Sequence, residues 1–198
     1  MENIMQEYII EKIEKSQDLM AAMLTDKELL IQINAASEAC IKCLKSGGRI
    51  LLAGNGGSAA DAQHIAGELV SRFAFDRPAL SAIALTTDTS ILTAIGNDYG
   101  YDSLFVRQIQ ANGNKGDIFI GYSTSGQSPN ILNAFKEARI REMVCIGFTG
   151  NKGGQMCGLC DYLLEVPSSD TPKIQEGHLV LGHILCGLVE STMFKAPD

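Results

Sequence analysis

The sequence predicts an α/β fold, a parallel β-sheet flanked by helices and preceded by a helical extension. Two observations carry that reading. Five short apolar runs (Ile50–Ala53, Ala82–Leu85, Ile118–Gly121, Val144–Phe148 and Tyr162–Val166) are each followed by a glycine- or serine-bearing turn or a helical stretch. Runs of this length, separated by helices, mark buried parallel strands joined by right-handed crossovers. Ahead of them, residues 2–46 carry apolar side chains at helical spacing.

The elements follow in order. Ile9, Ile10, Ile13, Leu19, Met20 and Met23 share a helical period, with Glu11, Lys12, Glu14 and Lys15 between them. Thr25-Asp26 caps a second helix carrying Leu29, Leu30, Ile33, Ala36, Cys40 and Leu44, and Gly47-Gly48 ends it. Two such amphipathic helices cannot bury both stripes alone; they must pack on the following domain, on another copy, or on both. Ala59–Val70 reads as the helix after the first strand, and the last helix runs from near Pro172 to Met193. No repeat, linker or low-complexity segment interrupts the chain. The expectation is therefore one domain, 47–198, with an N-terminal helical extension, 1–46.

Composition narrows the function. A formal charge of -7 over 198 residues leaves no basic face for nucleic acid. It does not exclude a phosphorylated small molecule, because backbone N–H groups and hydroxyls bind one phosphate without net positive charge. No apolar stretch reaches the ~20 residues of a membrane span. Met1 to Tyr8 carry two glutamates and lack the basic start and apolar run of an export signal, so a cytoplasmic protein without membrane contact is expected. The six cysteines then read as reduced thiols. Cys40/Cys43 and Cys157/Cys160 have metal-like spacing, but neither offers the paired turns of a zinc ribbon, and buried or half-buried free thiols are the better reading.

In open parallel sheets ligands bind beyond the carboxyl ends of the strands. That places a site at the turns after Ala53, Leu85, Tyr122 and Phe148. Gly54-Asn55-Gly56-Gly57-Ser58 lets the backbone approach a ligand next to a helix start. It lacks the third glycine of the dinucleotide fingerprint, and no Gly-Lys-Ser/Thr marks a P-loop; a plain tight turn is the alternative. Ser123-Thr124-Ser125-Gly126-Gln127-Ser128 is more specific. Four hydroxyls precede Pro129, leaving Ser128 as the N-cap, so hydroxyls, N–H groups and a helix dipole converge as a monophosphate would require. The alternative is a capping turn rich in serine.

The chain has three histidines: His64, His178 and His183. His64 and Glu68 stand four apart on one helical face, a spacing that binds a divalent metal or supplies a base with an oriented partner; a surface hydrogen-bonded pair is the other reading. His183 lies among Leu181, Ile184 and Leu185, a costly setting for a histidine without function. On one regular helix, Gln175 and His183 stand ~12 Å apart along the axis. They meet one ligand only by leaning together, by fraying at Gln175, or across a subunit contact.

Taken together, Gly54-Asn55-Gly56-Gly57-Ser58, His64 with Glu68, Gly96-Asn97-Asp98, Ser123 to Ser128, and Ile174-Gln175-Glu176 with His178 and His183 resemble the phosphoheptose isomerases of the sugar isomerase (SIS) superfamily. The resemblance spans nearly the whole chain. It implies a single SIS domain with a five-stranded parallel sheet, flavodoxin-like or Rossmann-like. It implies the conversion of sedoheptulose 7-phosphate to D-glycero-D-manno-heptose 7-phosphate, toward the activated heptose of lipopolysaccharide or capsule. By the same resemblance Ser123, Thr124, Ser125 and Ser128 hold phosphate, while Asn55, Gly56, Gly57, Ser58, Asn97, Asp98 and Gln175 meet the sugar. One zinc per subunit is expected on His64, Glu68, Gln175 and His183. Glu68 and His183 are the acid/base candidates, and Glu68 also touches substrate. The family forms homotetramers with the N-terminal helices at the contacts and active sites between chains. Rival readings are a non-catalytic SIS protein that binds sugar phosphates or a replication initiator, and another SIS isomerase or lyase. Glu68 and His183 together favour the isomerase over the non-catalytic protein, and the His64/Glu68 pair combined with Gln175 and His183 favours it over the other SIS enzymes.

Overall fold

The computed structural model describes residues 2–196. Two long helices, α1 (Glu2–Thr25) and α2 (Lys27–Lys45), precede the sheet. Then come β1 (Ile50–Ala53), α3 (Gly57–Val70), β2 (Ala82–Ala84), α4 (Thr89–Tyr99), α5 (Val106–Asn112) and β3 (Ile118–Ser123). α6 (Pro129–Ile140), β4 (Val144–Thr149), β5 (Tyr162–Glu165) and α7 (Thr171–Met193) complete the chain, with short 3-10 turns at Tyr101–Ser103 and Gly154–Gly158. All five strands pair in parallel in the order β2-β1-β3-β4-β5. The α/β class, the parallel sheet and the two leading helices match the sequence expectation.

The local reasons are legible. Asp26 accepts the Leu29 N–H at 3.1 Å and starts α2, and Gly47, at φ +80°, releases the chain from it. Pleating then sorts the strands: Ile50 and Leu52 join a core with Ile65, Leu181 and Leu185, under α1, α2, α3 and α7. Leu51 and Ala53 join Ile109, Phe119 and Phe135 on the opposite face, under α4, α5 and α6. Helices cover both faces, so β1 and β3 are buried at every position, which is why their sequences run apolar without alternation.

Three features depart from expectation. α3 begins at Gly57, two residues early, because its first turn is closed by Ser58 and Ala59 N–H groups donating to Asn55 and Gly56. In α1 only Leu19 and Met23 enter the core, while Ile9, Ile10 and Ile13 stay exposed. Cys157 is exposed rather than buried or half-buried, whereas Cys40 and Cys43 are buried in α2 as expected, and burial pushes the Cys43 thiol up to about 11, so it stays protonated. Among the described residues, no helix is long and apolar enough to cross a membrane.

Candidate active site

β1 feeds α3 on one face of the sheet and β3 feeds α6 on the other, so the connections part between these adjacent strands. The two loops predicted to bind meet there. Asn55 and Asn130 lock them together: each side-chain amide donates to the other's oxygen, at 2.9 and 2.8 Å. The Tyr101 hydroxyl also donates to Asn55 Oδ1, at 3.0 Å. Gly56, at φ +56°, and Gly57 leave the loop crest exposed, while Ser58 turns inward and is buried.

The serine loop is braced by its own hydroxyls. Ser123 Oγ and Ser128 Oγ lie 3.0 Å apart, Ser123 Oγ accepts the Ser128 N–H at 3.4 Å, and Ser125 Oγ accepts the Gln127 N–H at 3.2 Å. Ser128 is the N-cap of α6 in extended backbone, with Pro129 following, but its hydroxyl turns to Ser123 rather than capping the helix. Gly126 is obligatory: its φ is +64°, and a Cβ there would collide with the Gly153 carbonyl. Thr124 is half-buried and Ser125 exposed, so the loop presents hydroxyls and a helix start to solvent. At the Asn55 turn lies a cavity of about 310 Å³ bordered by Asn55, Gly56, Thr86, Thr93, Gly96 and Tyr101. Of the run Gly96-Asn97-Asp98 only Gly96 borders this cavity. Asn97 and Asp98 are exposed and pair with each other at 2.7 Å.

A second cluster forms where α3 lies along α7. Gly182 lets them approach, for a Cβ there would stand 2.6 Å from Ile65 Cδ1. His64 Nε2 and His183 Nε2 come to 2.8 Å, and Glu68 Oε1 stands 3.4 Å from His64 Nε2. One donor atom from each of the three falls within 4.8 Å of the others, and no cysteine joins them. Two imidazole nitrogens and a carboxylate within this distance of one another are a donor set that could hold a divalent cation. His64 and Glu68 line an open groove with Gln63, Ser71, Arg72 and Phe73.

Gln175 is not in this cluster. It packs against Gly57, where a Cβ would collide with its amide, two helical turns from His183. Both residues lie on the regular helix α7, which starts at Thr171, so Gln175 is not at a frayed start. His183 is half-exposed beside the exposed Ile184, whereas the histidine without exposed surface is His178. The apolar setting expected at His183 thus belongs to His178, whose pKa burial lowers to about 4. Sequence reasoning missed Asn130, Tyr101 and Phe73. Asn130 left a trace, a polar residue at a helix start among Ile131, Leu132 and Ala134, at 1% exposure.

Comparison with known proteins places this geometry. The SIS domain family matches residues 7–150. The chain is 69% identical over 194 residues to a phosphoheptose isomerase of Burkholderia pseudomallei (strain 1710b), covering 98% of each, and 57% identical over 191 residues to one of Aneurinibacillus thermoaerophilus, covering 96% of each. The solved phosphoheptose isomerase of Neisseria gonorrhoeae superposes with a TM-score of 0.88 at 43% identity, covering 94% of this chain and 99% of that one. That of Francisella tularensis gives 0.90 at 38% identity, covering 94% and 98%. The chain belongs to the phosphoheptose isomerase family of SIS-domain proteins.

Proposed function

We propose that this protein interconverts sedoheptulose 7-phosphate and D-glycero-D-manno-heptose 7-phosphate by proton transfer through an enediol, supplying the heptose of lipopolysaccharide or capsule. The observation that carries the reading is the coexistence of a hydroxyl-lined loop at the switch point with a His64–Glu68–His183 cluster. A phosphate needs the first; moving a proton between C1 and C2 needs the second.

Ser123, Thr124, Ser125 and Ser128 hold the phosphate. Asn55, Gly56, Gly57, Ser58, Asn97, Asp98 and Gln175 meet the sugar. Glu68 removes the carbon-bound proton, and His183 moves a proton between the two oxygens. His64, Glu68 and His183 would hold one zinc per subunit, with Gln175 joining only across a subunit contact. Bound there, zinc supplies polarisation of the carbonyl and stabilises negative charge on the enediolate. A carboxylate has two oxygens, so Glu68 can keep one toward its histidine neighbour and offer the other to the proton.

The assembly that supports this is a cytoplasmic homotetramer, with residues 1–46 forming the subunit contacts and sites shared between chains. Incubation with sedoheptulose 7-phosphate in deuterated water tests the chemistry. Aldoheptose phosphate carrying deuterium at C2 is expected, lost on complete metal removal and restored by zinc. No aldoheptose phosphate under any condition would sink the isomerase reading. Turnover that survives metal removal would reject the zinc.

A further inference from the structure

We propose that Arg77 and Glu190 are positioning residues for the His183–Glu68 pair, acting through the loop 71–78 and Phe73. Glu190 lies two turns after His183 on α7, and its side chain and that of Arg77 are each 2% exposed. The carboxylate accepts the N–H groups of Phe73, Ala74 and Phe75 at 2.8, 2.7 and 3.4 Å, and Arg77 Nε at 3.1 Å. Burial alone would raise its pKa, but these N–H groups and the guanidinium outweigh burial and hold it below the ordinary carboxylate range.

Arg77 spends its remaining donors on carbonyls. It reaches Glu68 O at 2.8 Å, Leu69 O at 2.7 Å, Ser71 O at 3.3 Å and Pro78 O at 3.1 Å. Three of these lie at the end of α3, where carbonyls lack partners within the helix, and one is the peptide of Glu68 itself. On the other side of the clasp, the Phe73 ring stands 5.6 Å from the His183 ring by centroids. Behind Phe73 lies Gly187, where a Cβ would stand 3.3 Å from the ring. One ion pair therefore fixes the backbone of Glu68 and the ring that abuts His183.

Ending a helix does not require this. A single glycine closes many helices, and a buried ion pair is often no more stabilising than an apolar plug of the same volume. What the clasp adds is orientation of two side chains that must converge on one point. The inference rests on the reading that His64, Glu68 and His183 hold a divalent cation. Outer partners that orient metal-binding side chains are worth roughly 10- to 100-fold in metal affinity.

The test is cobalt(II) titration of the full-length apoprotein, followed by visible absorption, with zinc competition and thermal melts alongside. Glu190→Gln and Arg77→Lys are expected to fold, to bind metal about 10-fold or more weakly, and to lower kcat with KM little changed, since the clasp makes no hydrogen bond to the serine loop. Phe73→Leu leaves the ion pair intact and is expected to weaken cobalt binding in the same direction, which carries the test if the clasp variants do not fold. Folded variants with wild-type cobalt affinity and spectrum would overturn the positioning role alone. A wild-type protein that binds no cobalt would overturn the metal reading and this role with it.

Discussion

His178 has no exposed surface, and its ring lies 5.8 Å from Tyr122 and 5.7 Å from Phe148 by centroids. Burial holds its pKa at about 4, against about 6.5 in an unfolded chain. Between those values the unfolded state binds the extra proton and the folded state does not. Stability is therefore full above pH 6.5 and falls as pH drops toward 4, by up to about 3 kcal/mol. His178→Leu, of similar volume, is expected to flatten that slope and to leave stability at pH 7 equal or higher. Urea titrations at pH 7 and pH 5 decide it; a variant with the wild-type slope would refute the assignment. The sequence marked His178 only as one member of a motif, because burial depends on Tyr122 and Phe148, strands away in the chain. His64 and Glu68 were legible because four-residue spacing on a helix is local. The Asn55–Asn130 pair was not, because its partners are 75 residues apart.

At the scale of elements, the site depends on α3 and α7 lying side by side in the same direction, with Gly57 against Gln175 and Ile65 against Gly182. That contact sets how far His64 is from His183. Gly182→Ala puts a methyl group 2.6 Å from Ile65 Cδ1 and 2.9 Å from its Cγ1, so the buried Ile65 must shift against α7. Overpacking of this kind costs about 1–3 kcal/mol, and here the displacement opens the pair of imidazoles. The expected outcome is a folded protein with a lower melting temperature and weakened metal binding; wild-type metal affinity would show that the packing does not govern the site. The strands and long helices were legible because each announces itself within a few residues: apolar runs, Asp26 and Ser128 as caps, Gly47 as a stop. The stretch between the second and third strands was not resolved in the sequence. Its two short helices, α4 and α5, are broken at Gly100, with φ +83°, and share their apolar faces with α6 and the sheet rather than carrying a long period of their own.

For the whole molecule, two facts point beyond a single chain. Ile4, Met5, Tyr8, Ile9, Ile10 and Ile13, on the first half of α1, are exposed by 47–71%. A run of six large apolar side chains on one helix exceeds the scattered exposure usual on a monomer, and covering it is favourable by ~25 cal/mol per Å². Gln175 and His183, on the other hand, are separated by eight residues of regular helix, so one metal ion held by both would draw them from different copies. If sites are shared in this way, two inactive chains can repair each other. Gln175→Glu leaves the His64–Glu68–His183 cluster intact, and His183→Gln leaves Gln175 intact. Each variant alone is expected to be tetrameric and nearly inactive. Co-refolded in equal amounts with random assembly, roughly a quarter of the sites would combine an intact cluster with an intact glutamine, so activity should return to about that fraction of wild type. Ile9→Glu combined with Ile13→Glu should abolish this recovery by preventing assembly, while circular dichroism still reports a folded chain. Mixed tetramers, verified by mass, that stay as inactive as their parents would show that each chain builds its site alone.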